Sequence, residues 1–271
     1  MSSVNRNSND RALGIFDSGI GGLTVLKEIS SILPSENVLY LGDTARVPYG
    51  IRSPETVTRY SFECTDFLLH ENIKLLVVAC NTVSAISLPA IRERVSIPVI
   101  GVIEPGARAA VNSTRNKKIG IIGTETTIRS SAYLKAIKAL DSRVDAFGLA
   151  CPLLVPLVEE GWTEGDIAER VVERYLMNIR HHNADTLVLG CTHYPLLKDV
   201  IQEVMGSVAL IDSAVETARV VRDVLADSGM LQTKKKPSKI RYFVTDSPEK
   251  FISVGERFLK GKIINIERIR L

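Results

Sequence analysis

Short apolar runs rich in β-branched residues alternate along the chain with longer stretches whose apolar positions recur at helical spacing. This βαβα pattern predicts a mainly parallel sheet covered by helices. Strands are expected over 12–16, 37–41, 75–79, 99–102, 118–122, 145–149, 186–189 and 208–211, with two more, 239–244 and 263–266, near the end. Helices are expected over 22–33, 54–71, 83–95, 128–140, 164–182 and 213–228. The last carries a capping box, Ser213 with Glu216, and a terminating Gly229.

Within this alternation the chain echoes itself. Leu76-Val77-Val78-Ala79-Cys80-Asn81-Thr82 reads against Leu187-Val188-Leu189-Gly190-Cys191-Thr192-His193, each an apolar strand ending in cysteine and then polar residues. Gly14-Ile15-Phe16-Asp17-Ser18 and Gly120-Ile121-Ile122-Gly123-Thr124 are a second pair at nearly the same offset. The echo points to two similar α/β units rather than one long sheet, the alternative being that any two such strands look alike. Ligands of open parallel sheets bind at the carboxyl ends of the strands. If the two units face each other, Cys80 and Cys191 look into one cleft from opposite sides.

Composition narrows the class without naming a substrate. The 271 residues are 45% hydrophobic and 24% charged, as in folded globular chains, which excludes disorder, collagen and coiled coil. Thirty-four Lys and Arg against 31 Asp and Glu leave a net charge of +3, spread evenly, which argues for neither a nucleic-acid nor a membrane partner. The one dense basic run, Lys234 to Lys236 beside Pro237, reads as a solvated loop. Four cysteines in a chain this long are not a disulfide framework, so a reducing cytoplasm is the expected location. The polar start, 1–11, has no apolar leader, and no apolar run approaches the ~20 residues of a membrane span.

The two strand-end cysteines stand where a thiol is near solvent and backbone N–H groups, with Asn81, Thr82, Thr192 and His193 beside them. A phosphatase-type thiolate needs Cys-x5-Arg, but the matching positions are Ile86 and Leu197. Cys-x-x-Cys is absent, although a long-range disulfide stays open. Zinc could use Cys80, Cys191 and His193, but no fourth ligand has recognisable spacing. Acid/base work fits the pair: two thiols on opposite faces of one carbon remove a proton from one side and return one from the other, as racemisation or epimerisation requires.

Other residues carry weaker signals. Asp17-Ser18-Gly19-Ile20-Gly21-Gly22 follows a strand and opens a helix, so it could hold a small carboxylate, or an ammonium on Asp17; the plain alternative is a tight turn with a capping aspartate. It lacks the last glycine of a dinucleotide fingerprint and the Gly-Lys-Ser/Thr of a P-loop. Arg46-Val47-Pro48-Tyr49-Gly50 reads as a loop displaying a tyrosine, and Glu159-Glu160 as a pair of loop acids, solvated unless function says otherwise. His193, two residues from Cys191, could relay its proton. His70, His181 and His182 read as surface groups, and Cys64 and Cys151 as packing residues. Trp162, the only tryptophan, sits near Glu159 with no assignable role.

Taken together, the segments resemble the cofactor-independent aspartate/glutamate racemase superfamily. The resemblance is carried by Gly14 through Gly22, Leu41-Gly42-Asp43-Thr44, Val47-Pro48-Tyr49-Gly50, Ala79-Cys80-Asn81-Thr82, Gly123-Thr124 through Thr127, Val158-Glu159-Glu160-Gly161 and Gly190-Cys191-Thr192-His193-Tyr194-Pro195, in the family's order from about residue 13 to 195. It implies two flavodoxin-like doubly wound α/β domains with mainly parallel sheets, pseudo-symmetric, with the active site in the cleft between them. Residues 12–103 plus 213–271 would form the first, with Asp17 and Cys80, and 104–212 the second, with Cys191 and His193; 1–11 would be a polar extension.

The resemblance further implies interconversion of L- and D-glutamate without pyridoxal phosphate, metal or other cofactor, supplying D-glutamate for peptidoglycan, in an enzyme that is often a homodimer. Cys80 would act on the α-proton of D-glutamate and Cys191 on that of L-glutamate. Asp17 and His193 would assist the respective thiols, with Glu159 a further acid near the second. Substrate contacts would come from Asp17, Ser18, Pro48, Tyr49, Gly50, Asn81, Thr82, Thr124, Thr127, Thr192 and His193. Aspartate racemases tend to carry Glu where this chain has His193, which favours glutamate. The rival readings are a superfamily racemase or isomerase acting on aspartate, a hydantoin or maleate, a non-catalytic two-domain amino-acid binding protein, and a zinc protein.

Overall fold

A computed structural model describes residues 8–234 and 237–271. The chain begins with β1 (Leu13–Asp17), α1 (Leu23–Ile32), β2 (Val38–Gly42), α2 (Pro54–His70), β3 (Leu75–Val78), α3 (Asn81–Ile86), α4 (Leu88–Arg94) and β4 (Val99–Gly101). Helix α5 (Ile103–Ser113) leads into β5 (Lys118–Gly123), α6 (Glu125–Arg129), α7 (Ala132–Leu140), β6 (Asp145–Ala150), α8 (Leu154–Glu159), α9 (Asp166–His181), β7 (Thr186–Gly190), α10 (Lys198–Met205) and β8 (Ala209–Asp212). Helix α11 (Ser213–Asp227) then returns to β9 (Ile240–Val244), α12 (Pro248–Leu259) and β10 (Ile266–Arg268).

The strands form a six-stranded sheet, β10-β9-β2-β1-β3-β4, and a four-stranded one, β6-β5-β7-β8. Every pairing is parallel. The order β2-β1-β3-β4 recurs as β6-β5-β7-β8, so β1 corresponds to β5 and β3 to β7, as the echo in the sequence predicts. In each sheet the strand order reverses, between β1 and β3 and between β5 and β7. Loops leaving such a pair diverge to opposite faces and open a crevice at the carboxyl ends.

Both sheet faces are covered, which is why the strands read as unbroken apolar runs; β1, β2, β3 and β7 are buried at every position. Side chains still alternate along them. Leu13, Ile15, Leu75 and Val77 point into a core that continues across Ile119 and Ile121 of β5 and Leu187 and Leu189 of β7. Phe16, Leu76 and Val78 point the other way, into a smaller cluster with Val57 and Leu68 of α2. The two sheets thus share one core, and α5 and α11, which carry the chain between them, pack on each other, on α7 and on α1 at the seam.

Several elements differ from the sequence-based expectation, each for a local reason. The helix expected over 83–95 is two, broken at Ser87, because Pro89 lacks an N–H and its ring would crowd the preceding turn. The helix expected over 128–140 is also two, broken at Ser130 and Ser131, where Ser131 takes a left-handed φ of 58° and Ser130 Oγ bonds to backbone on both sides. Its first part starts early, at Glu125, capped by Thr124. Glu159 is not in a loop but ends α8. The cap of α11 is Asp212, which accepts from Ala214 N at 2.9 Å, not Ser213. The last strand lies over Ile266–Arg268 rather than 263–266. Helices α5, α8, α10 and α12 were not expected: Pro105-Gly106, Pro156, Pro195 and Gly255 make their sequences read as punctuation.

Part of the polar N-terminal segment is docked. At the end of the six-stranded sheet away from the crevice, the fully buried Lys74 ammonium pairs with Glu36 at 2.6 Å and donates to the carbonyls of Asn9 (2.9 Å) and Met230 (2.8 Å). Lys234 pairs with Asp10 at 3.1 Å. Residues 1–7, and Lys235 and Lys236 of the basic run, lie outside the described residues.

Candidate active site

The crevices of the two sheets open onto a common cavity of about 370 Å³, within the size range of small-molecule sites. Its lining includes Ser18, Pro48, Tyr49, Gly50, Cys80, Asn81 and Thr82 from the six-stranded half, and Thr124, Glu159, Cys191, Thr192 and His193 from the four-stranded half. Asp17 and Thr127 are buried directly behind this lining. Pro152, Val155 and Pro156, at the start of α8, add an apolar wall. All four cysteines are free; Cys64 and Cys151 are buried and do not line the cavity.

Cys80 follows β3 and caps α3 in extended backbone (φ −66°, ψ 120°), its Sγ 3.5 Å from Ser18 Oγ. Burial pushes its thiol up to about 12; the Asp17 charge pushes the same way, while Ser18 and the Val83 N–H oppose them. Asp17, at the end of β1, is wholly buried and accepts from Gly19 N at 3.0 Å, and Thr192 Oγ1 reaches its other oxygen at 3.5 Å. Burial raises the Asp17 carboxyl, and the His193 charge counters it.

Cys191 stands in the corresponding place beyond β7, with different company. Its Sγ is 3.9 Å from His193 Nδ1, and His193 Nε2 is 3.1 Å from Glu159 Oε1. Burial alone would lower the imidazole, but its hydrogen bonds to Cys191 and Glu159 prevail and hold it up to about 10. The same bond lowers the Glu159 carboxyl.

Around the thiols lies a set of fixed polar groups. The Tyr133 hydroxyl on α7 donates to Asn81 Oδ1 at 2.7 Å, and the buried Asn81 Nδ2 has no hydrogen-bond partner. A buried donor of this kind is costly unless something fills it. The hydroxyls of Thr82, Thr124 and Thr127 lie 2.9–3.3 Å apart. The loop of Val47 to Gly50, whose Val47–Pro48 peptide is cis, is pinned from behind by the buried Asp43 carboxylate. Asp43 accepts from the Tyr49 hydroxyl, from Thr245 Oγ1 at 2.9 Å and from Arg46 Nε at 2.6 Å.

Hydrogen bonds also tie one half to the other at the rim. Thr126 Oγ1 on α6 donates to the Gly50 carbonyl at 2.8 Å, and Thr24 Oγ1 on α1 donates to the Thr192 carbonyl at 3.1 Å. The fit is close: a Cβ on Gly21 would stand 2.2 Å from Thr192 Oγ1 and 2.5 Å from His193 Nδ1. Asp43 and Thr126 lie in segments that carry the family resemblance but have no role assigned there, and Tyr133 carries no local signal, since its partner Asn81 lies on another element. Among the described residues, no group of three or more His, Cys, Asp or Glu is placed to hold a metal ion.

Comparison with known proteins places this cavity in a context. Residues 20–221 match the family described as Asp/Glu/Hydantoin racemase. The glutamate racemase of Geobacter metallireducens is 57% identical over 262 residues, covering 96% of this chain and 97% of its own. The crystal structure of the glutamate racemase isoform RacE1 from Bacillus anthracis superimposes with a TM-score of 0.94 at 43% identity, covering 97% of this chain and 98% of its own. That of glutamate racemase from Francisella tularensis, in complex with D-glutamate, gives 0.91 at 38% identity, covering 96% and 98%. The chain belongs to the Asp/Glu/Hydantoin racemase family.

Proposed function

We propose that the chain is a glutamate racemase, an isomerase that interconverts L- and D-glutamate by moving the α-proton between two thiols. The observation that carries the mechanism is the pair Cys80 and Cys191, at corresponding strand ends of two like sheets, lining one cavity from opposite halves. The choice of glutamate rests on the extent of identity to glutamate racemases across nearly the whole chain.

In this mechanism one sulfur, as thiolate, takes the α-proton while the other, as thiol, delivers a proton to the opposite face, and the roles exchange in reverse. Cys191 works on L-glutamate and Cys80 on D-glutamate. The obstacle is the α-proton, a far weaker acid than a thiol, so the carbanion must be stabilised as it forms. Asn81 lines the cavity and its buried Nδ2 is an unpaired donor, and we assign it to the substrate α-carboxylate, with Thr82 and Thr192 beside it. Ser18, Pro48, Tyr49, Gly50, Thr124 and Thr127 complete the pocket. Asp17 assists Cys80, and His193, held by Glu159, assists Cys191. Closure of the halves over the substrate excludes water, which strengthens each of these interactions.

The two domains are read as 12–103 with 213–271 and 104–212. A protein relying on two facing free thiols suits a reducing cytoplasm, since oxidation to a disulfide would silence it. Its D-glutamate would supply peptidoglycan synthesis, and the enzyme would act as a homodimer. Incubation with L-glutamate in D2O is expected to give Cα-deuterated glutamate and a decaying circular dichroism signal. Absence of both would overturn the reading, and faster turnover of aspartate would move it elsewhere in the family.

A further inference from the structure

The imidazole of His193 is carried by the four-stranded half, yet two of its flanks are walled by the other half. On one side lies Gly21, with no room for a side chain. On another lies Phe258 of α12, its ring at right angles to the imidazole with centroids 5.4 Å apart. Helix α12 connects β9 to β10, so it belongs to the six-stranded sheet. It is anchored there by Phe251, two turns before Phe258, whose ring packs on Tyr40 and Tyr242 at 5.9 and 6.3 Å.

The same helix also meets the partner of His193. Helix α8 ends in a Schellman motif: Gly161, at φ 82°, donates to the Val158 carbonyl at 3.0 Å, and Trp162 N donates to that of Leu157 at 2.9 Å. The motif leaves the next carbonyl, that of Glu159, outside its bonds. Arg257 of α12 fills it, donating from Nη2. A Cβ on Gly161 would stand 3.0 Å from the Arg257 guanidinium, so the turn is built to let the arginine in. A cation at a helix C-terminus is favourable in its own right.

We infer that α12 positions the His193–Glu159 pair from across the cleft, with Phe258 and Arg257 acting as positioning residues for the acid/base group at Cys191. Phe258 stops the imidazole from swinging, and Arg257 fixes the end of α8 that carries the carboxylate. Both contacts cross between the halves, so the pair is set only when the halves meet. Across the cleft the Cys80 side receives only the 3.5 Å contact of Thr192 Oγ1 with Asp17; Ser18 and Asp17 themselves lie on the same half as Cys80. The inference rests on the two-thiol reading above.

The test is Arg257→Met and Phe258→Ala, with Arg257→Lys and Phe258→Leu as conservative partners. Arg257 is exposed, so its variants keep the assay informative even if Phe258→Ala fails to fold. Loss of either contact is expected to lower kcat/KM about tenfold to a hundredfold. It is also expected to move the alkaline limb of the pH profile to lower pH. The charged and titratable groups facing His193 are Cys191, Glu159 and Asp17, with Lys250 of α12 acting on Glu159; none of these is altered, and Arg257→Lys keeps the charge at the Glu159 carbonyl that Arg257→Met removes.

Isotope effects with 2-deuterated substrates separate the two sides. If only proton transfer at Cys191 slows, the effect on kcat/KM rises for L-glutamate and falls for D-glutamate, and the conservative variants restore part of the difference. A fall in activity with the limb unmoved and both isotope effects changed alike would overturn the inference, as would unchanged kinetics. A wild-type protein that exchanges no deuterium into glutamate would overturn the functional reading itself; a competent wild type with indifferent α12 variants overturns only the inference.

Discussion

Cys80 and Cys191 stand at matching points of two sheets with the same strand order, but chemically the two ends are not copies. Beside Cys80 are a buried carboxylate, Asp17, and a hydroxyl, Ser18. Beside Cys191 is an imidazole held in its charged form by its hydrogen bonds to Cys191 and Glu159. Burial and the Asp17 anion both raise the Cys80 thiol, whereas Cys191 has a cation for a neighbour, so the two surroundings are opposite in sign. The repeated strand order sets the two cysteines at matching points, and different residues beside the strand ends give the two sides opposite electrostatics. Enantiomers have equal free energy, so the forward and reverse kcat/KM must be equal whatever the asymmetry. The difference between the sides must therefore show in individual steps.

The strongest way to break the comparison is to remove one sulfur at a time. Cys80→Ser and Cys191→Ser are each expected to cut racemisation by about a thousandfold or more, since serine is too weak an acid and base to replace a thiol. The variants should then part company in D2O. With Cys191 intact, L-glutamate still exchanges its α-proton without inverting; with Cys80 intact, D-glutamate does so. NMR of each enantiomer reads this directly, and full activity in either variant would remove that residue from the assignment.

A milder intervention strikes one side only. In Gly21→Ala the new methyl would press on Thr192 Oγ1 and His193 Nδ1, both on the Cys191 side. Displacing the dyad by a fraction of an ångström is expected to lower kcat/KM about a hundredfold. The loss should be larger in proton transfer to and from L-glutamate, because the Cys80 side meets the methyl only through the contact of Thr192 Oγ1 with Asp17. Equal slowing of exchange from both enantiomers would mean that the turn serves both thiols.

How much of this was visible in the sequence follows from which interactions are local. The paired cysteines stood out because buried parallel strands make continuous apolar runs, so a polar strand end is conspicuous, and repetition at a near-constant offset tied two ends together. Asn81, Thr82, Thr192 and His193 were found by adjacency to those ends. Glu159 was named from the family resemblance, while its own surroundings read as a solvated loop, because Pro156 hid the helix that carries it to His193. Arg257 and Phe258 were invisible: α12 contains Gly255 and was not expected, and a ring contact between elements so far apart in the chain leaves no local pattern. Tyr133 likewise reads as one more buried position on an amphipathic helix.

The dyad at Cys191 makes the comparison dependent on pH. The His193 pKa, about 10, is raised above its ordinary 6.5, so its contribution to stability is complete below about 6.5 and is lost as pH rises towards 10. Glu159 behaves oppositely: its lowered carboxyl contributes above its ordinary 4.5, and that contribution is lost as pH falls through its folded value. Glu159→Gln removes one of the two groups that hold the imidazolium. The alkaline loss of both stability and activity should then begin at lower pH, with kcat/KM near neutrality down about tenfold. Thermal unfolding and initial rates over a range of pH test this, and an unmoved alkaline limb would show that Cys191 alone sustains the charge.

The smallest expected effect falls on the Cys80 side and on binding. Tyr133→Phe removes the hydroxyl that donates to Asn81 Oδ1 at 2.7 Å but keeps the ring that packs in the core. A neutral hydrogen bond of this kind contributes about 1 kcal/mol net, so the direct cost to stability is modest. Its larger use is orientation. With Oδ1 occupied, the amide can present only Nδ2 to the cavity; with Oδ1 free, the amide can turn over and present an acceptor to the substrate carboxylate instead. If Nδ2 binds the carboxylate in ground state and transition state alike, KM should rise several-fold with kcat nearly unchanged. If it binds the developing carbanion more tightly than the substrate, kcat falls as well, and by the same factor for both enantiomers, because the α-carboxylate is common to the two half-reactions. A fall in kcat for one direction only would tie Asn81 to one thiol rather than to the carbon they share.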